Sequence, residues 1–96
     1  MEELISRLRN NTAKAQPFGA IIKFDTGPNG VLCIDGTGET IVVDDIDRDA
    51  KTTIILSQDA LEKLMRGKLN PAMAAMSGKL KVKGDMSLAL KLANFL

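Results

Sequence analysis

The chain has 96 residues, is 45% apolar and 26% charged, and carries a net charge of +1. This length suits a single domain spanning residues 1–96, and the near-neutral balance supplies no general attraction to nucleic acid or membrane. Cys33 is the only cysteine and there is no histidine, which excludes an intrachain disulfide and imidazole chemistry and fits a reducing compartment.

The opening MEELISRLR is acidic before it is apolar, unlike a secretory signal. Residues 2–15 read as a helix with Leu4, Ile5 and Leu8 on one face, stopped by Pro17. Three strand-like runs follow, at 18–25, 30–36 and 39–45. In the first, Phe18, Ala20, Ile22 and Phe24 share a face. The links TGPNG and GTGE are short, so the three strands should form an antiparallel meander. After the acidic stretch DDIDRDA comes a fourth strand, residues 52–57.

Ser57 is placed to cap a helix, SQDALEKLMRG, whose apolar face is Ala60, Leu61, Leu64 and Met65 and whose C-terminus suits Arg66 and Gly67. Asn70-Pro71 opens a brief helix over 71–77, with Asn70 as cap and Pro71 first inside. KLKVKG then alternates strictly, with Leu80 and Val82 on one face and Lys79, Lys81 and Lys83 on the other. That pattern predicts a half-buried edge strand whose lysines discourage pairing with other chains. Asp85 caps a final helix, MSLALKLANFL, which has too many apolar positions for one buried face.

No constellation for covalent or metal chemistry emerges. A nucleophile needs an adjacent base, and Cys33 lies mid-strand among apolar neighbours. Asp45, Asp47 and Asp49 alternate as in a calcium loop, but Ala50 and Leu56 stand where that loop requires Gly and Glu. SGKLKVKGD lacks the phosphate-loop spacing, and single-stranded nucleic acid would want aromatic platforms beside the lysines, where none stand. No enzyme activity, metal, cofactor or nucleic-acid partner is therefore expected. The charge is segregated all the same. Glu39, Asp44, Asp45, Asp47 and Asp49 cluster around Arg48, whereas Lys63, Arg66, Lys68, Lys79, Lys81 and Lys83 form a run without an acid.

What distinguishes the second half is adaptable apolar surface. Leu61, Leu64, Met65, Met73, Met76, Leu80, Val82, Met86, Leu88, Leu90 and Leu92 crowd into it. Methionine is flexible and polarizable, so it fits variable apolar shapes, although such a stripe also serves as ordinary core.

Residues 57–92, SQDALEKLMRGKLNPAMAAMSGKLKVKGDMSLALKL, resemble the sterol carrier protein-2 (SCP2-like) lipid-binding domain family. The resemblance rests on Ser57, on Gly67-Lys68-Leu69-Asn70-Pro71, on Gly78-Lys79-Leu80-Lys81-Val82-Lys83-Gly84-Asp85 and on Ala89-Leu90-Lys91-Leu92. With the strands before them it covers roughly residues 18–92. It implies an α+β fold, one five-stranded mostly antiparallel sheet covered on one side by helices, with an apolar tunnel between them. It implies non-catalytic carriage of fatty acid, fatty acyl-CoA or sterol-like ligands. On that reading the eleven apolar residues named above line the tunnel, with Met73 and Met76 turned inward and the last helix as a lid. Lys68 and Lys79 would meet an anionic head group. A membrane surface is the expected transient partner. The chain departs from the family pattern at Ala75, where members often carry an aromatic residue, and in a shorter N-terminal helical region. It ends without a peroxisomal address and without a fused enzyme, which suggests a cytoplasmic protein and weakens the sterol reading. The competing reading makes the apolar C-terminal helix an interface for a homodimer or another partner.

Overall fold

The computed structural model describes residues 2–13 and 16–92, with side chains of the last helix described through Ala89. The elements in order are α1 (Glu2–Thr12), β1 (Ile21–Asp25), a single 3-10 turn (Gly27–Asn29), β2 (Val31–Asp35), β3 (Val42–Asp44), β4 (Thr52–Leu56), α2 (Gln58–Met65), α3 (Pro71–Met76), β5 (Leu80–Gly84) and α4 (Met86–Leu92).

The five strands make one sheet in the order β3-β2-β1-β4-β5. The meander β1-β2-β3 is antiparallel, as its short links require. Its third strand is only three residues long, because Asp44 turns its carboxylate back to accept from the Ile46 amide and the Arg48 guanidinium. β4 lies beside β1 and parallel to it, and β5 pairs antiparallel with β4 at the edge. The sheet is thus mostly antiparallel, with one parallel pair.

Register divides the residues between two faces. Val43, Ile34, Ile22 and Thr52 form one row across the inner face, and Leu32, Phe24, Ile54 and Val82 form the next. The helices cover this face. Leu4, Ile5 and Leu8 of α1, Leu61, Leu64 and Met65 of α2, Ala74 of α3 and Leu88 of α4 all join the same buried cluster. α1 and α2 each bury a stripe at helical spacing, which is what stabilises segments too short to persist alone. α1 also anchors to the β3 edge, where the Arg9 guanidinium donates to the Val43 carbonyl at 2.9 Å.

The outer face carries Lys23, Cys33, Asp44, Thr53, Lys81 and Lys83. Residues 45–51 cross it to connect β3 with β4, and polar contacts hold them there. The Cys33 thiol donates to the Ile46 carbonyl at 2.9 Å, and the Lys23 ammonium donates to Asp47 at 2.8 Å. Burial beneath this strap pushes the Cys33 thiol pKa up, which suits a structural residue better than a nucleophile. The acidic stretch that resembled a calcium loop is therefore a strap. Among the described residues no group of three or more His, Cys, Asp or Glu is placed to hold a metal ion.

Candidate functional site

The segment from Ser57 to Leu80 is two copies of one local device. Ser57 accepts from the Ala60 amide to start α2, and Asn70 accepts from the Ala72 and Met73 amides to start α3. Both helices then end on a glycine with positive φ, +70° at Gly67 and +80° at Gly78. The amides that follow close both ends in the same manner. Gly67 donates to Leu64 and Lys68 to Lys63, while Gly78 donates to Ala75 and Lys79 to Ala74. This paired bonding satisfies carbonyls that a helix end leaves open. Each glycine is followed by Lys-Leu, so the two caps deliver Lys68-Leu69 and Lys79-Leu80 in equivalent local geometry.

The consequence is convergence. Lys68, Lys79 and Met73 line one open groove of about 740 Å³, together with Gly67, Leu69, Asn70, Pro71, Ala74 and Ser77. A second groove of about 390 Å³ adjoins it through Leu69 and Lys79 and adds Ser57, Asp59, Ala60 and Lys63. Two exposed cations in the lining of a groove that also holds Leu69, Pro71 and Met73 are suited to an anionic group on an apolar molecule.

The remaining expected site residues divide by position. Leu61, Leu64 and Met65 are buried on α2, Leu80 is buried on β5, and Leu88 is buried on α4. Val82 is half-buried against them. These six belong to the core packed between the helices and the sheet, and none of them lines either groove. Met86 is 50% exposed at the start of α4. Leu90 and Leu92 fall within α4, and their side chains lie outside the described residues.

α3 corrects the expectation of inward methionines. Met73 is 68% and Met76 89% exposed, and the buried residue of the helix is Ala74. A helix of six residues presents little more than one residue to its support. Here small Ala74 and Ala75 face inward and pack against the core, so Met73 and Met76, three apart and on a common face, point away. Sequence reading also passed over Leu69, which lines both grooves. Its signal was present, since it is the apolar residue of the first Gly-Lys-Leu just as Leu80 is of the second.

Comparison with known proteins fits this architecture. The model of the SCP-2 sterol transfer family matches residues 1–96. Hydroxysteroid dehydrogenase-like protein 2 of Xenopus tropicalis is 52% identical over 48 residues, 48% of this chain and 12% of that protein. Sterol carrier protein 2 of Bos taurus is 44% identical over 57 residues, 59% of this chain and 10% of that protein. The chain thus spans only a small part of these curated relatives. A solved structure of sterol carrier protein-2 from Aedes aegypti, in complex with the C16 fatty acid palmitate, superposes with a TM-score of 0.76. It is 20% identical, and the match covers 98% of this chain and 91% of that one; likeness at this identity establishes the shared fold.

Proposed function

We infer, from the premise that this chain belongs to the SCP-2 sterol transfer family, that it carries an apolar lipid, binding and releasing it without altering it chemically. The observation that carries the reading is the family match along all of residues 1–96, joined to a fold that superposes on a palmitate-bound relative.

The ligand proposed is a fatty acid or fatty acyl-CoA, with its alkyl chain against Leu61, Leu64, Met65, Leu80, Val82 and Leu88. Met86, Leu90 and Leu92 belong to the helix proposed as the lid. Burial of an alkyl chain gains roughly 0.8 kcal/mol per CH₂. A long chain therefore binds without any dedicated polar partner, and nothing in the reading requires a catalytic group. Lys68 and Lys79, at the rim of the groove, are proposed to meet the carboxylate or phosphate head. A cytoplasmic setting belongs to the proposal and rests on the single thiol of Cys33.

The test is thermal unfolding with a panel of fatty acids and fatty acyl-CoAs, paired with native mass spectrometry of gently purified protein. A ligand that binds only the native state raises the midpoint. A rise in midpoint and an adduct of acyl-lipid mass are the expected results. No shift with any of the panel, together with a clean protein mass, would overturn the reading. A concentration-dependent mass with no extractable lipid would favour a dimer or partner interface on the C-terminal helix.

A further inference from the structure

The two ends of the proposed ligand lie in regions that do not meet. Leu61, Leu64, Leu80 and Leu88, proposed to hold the alkyl chain, are packed in the core. Lys68 and Lys79, proposed for the head, line the grooves outside it. A chain that reaches both must cross the wall between them. Three residues line a groove and also belong to the core or pack against it: Ala60 of α2, Ala74 of α3, and Leu69 between the two helices. The alanines have no side chain that can swing. Leu69 lines both grooves, and it is the one residue from Arg66 to Asn70 that is not exposed.

The chain around Leu69 is built to move. Gly67 has φ of +70° and open space about it, so the turn can pivot there. Beyond Leu69, α3 has six residues, fewer than a helix needs to persist alone, and it rests on the core through Ala74 and Ala75. Displacing Leu69 together with α3 uncovers little apolar surface, which puts this segment at the low end of local stability. Another groove, of about 310 Å³, reaches the core at Ile5. There the Arg9 guanidinium is engaged with the Val43 carbonyl and clamps α1 to β3, while Glu2, Asp44 and Asp45 set like charge against an anionic head.

We propose that Leu69 is the gate through which the alkyl chain enters and leaves the core. Its side chain swings outward on the Gly67 pivot as the Asn70 end of α3 lifts, and it closes again once the head has reached Lys68 and Lys79. The proposal rests on the carrier reading and adds the route to it. Because Leu69 closes the wall without holding the bound chain, shortening it lowers the barrier equally in both directions.

The test is stopped-flow binding of a fluorescent long-chain fatty acid, with release measured by displacement with unlabelled palmitate. Leu69→Ala should quicken association and release together, each by about fivefold or more, with Kd changed less than about threefold. Leu69→Met, of similar volume, should return both rates to within about twofold of wild type. Ile41→Ala trims a residue that is likewise partly buried against the core but lines neither groove, and its rates should stay within about twofold of wild type. Leu69→Val should show the same change at smaller size, which keeps the measurement possible if the alanine variant loses its wild-type circular dichroism. The gate is overturned if the rates of the Leu69 variants match wild type, or if Ile41→Ala quickens them as much. It is also overturned if release alone quickens and Kd rises in proportion, because Leu69 would then be holding the bound chain. A wild-type protein that takes up no fatty acid removes the carrier reading and the gate together, whereas normal uptake with unchanged Leu69 rates removes the gate alone.

Discussion

Thr52 and Asp85 exchange two hydrogen bonds across the join between sheet and last helix. The buried Thr52 hydroxyl donates to the Asp85 carbonyl at 2.9 Å and accepts from the Asp85 amide at 3.1 Å. Asp85 in turn accepts from the Leu88 amide at 3.2 Å, which caps α4. A single side chain on a central strand thus fixes where β5 stops and where α4 begins.

Thr52→Val should therefore cost about 1–3 kcal/mol, because it keeps the shape and leaves the Asp85 amide unpaired, while the Asp85 carbonyl keeps only the Ala89 amide at 3.3 Å. Thr52→Ser should recover most of that loss. Urea unfolding of the three proteins checks it, and a valine variant as stable as wild type would remove Thr52 from this role.

Gly84 sits beside that join with φ of +107°, and a Cβ there would lie 2.2 Å from the Lys51 carbonyl oxygen. Gly30 has φ of +99° but open space around it. Gly30→Ala meets backbone strain alone, of about 1 kcal/mol or more. Gly84→Ala adds a backbone clash and should be destabilised by roughly a further 1–3 kcal/mol. Equal unfolding midpoints for the two variants would show that the β4-β5 edge yields freely.

Leu61 and Met76 are both apolar residues of the cationic half, yet their environments are opposite. Leu61 is wholly buried, so Leu61→Ala should cost about 2–5 kcal/mol through lost burial and a residual cavity. Met76 is exposed, so Met76→Ala should fall within about 0.5 kcal/mol of wild type. Denaturant midpoints decide it; a large loss at Met76 would mean that α3 packs inward through its methionines after all.

At Asp35 the hydroxyl and amide of Thr37 both donate to the carboxylate and hold its pKa below the usual carboxylate range. The unfolded chain, with an ordinary pKa of about 3.9, takes up its proton first as the pH falls. The contribution to stability is thus complete above that pH and disappears as the pH drops through the lower native value. Thr37→Ala should reduce the difference in urea midpoint between neutral and acidic solution. An unchanged difference would mean that other carboxylates govern the acid response.

Much of the fold is legible one short window at a time. Ser57, Asn70 and Asp85 announce three helix starts, and each one accepts an amide hydrogen bond as its position suggests. The alternation of Leu80, Val82 and the intervening lysines announces an edge strand, and β5 is at the edge. The methionines of α3 are where local pattern misleads. Met73, Met76, Ala74 and Ala75 are all apolar, and composition does not say which face of a short helix meets the core. Nor does it say that residues 45–51 would be held across the outer face by Cys33 and Lys23.

By itself the sequence determined the elements, their caps and the antiparallel pairing of close neighbours, because those depend on residues a few positions apart. It also carried the motifs that place the chain in its family. Only the tertiary structure decided that β4 inserts beside β1 in parallel, far from the strand that precedes it. That choice depends on burying one continuous apolar face, a property of all five strands together. It also brings the two Gly-Lys-Leu caps to one groove, where Lys68 and Lys79 become neighbours of Met73 while the leucines beside them turn toward the core.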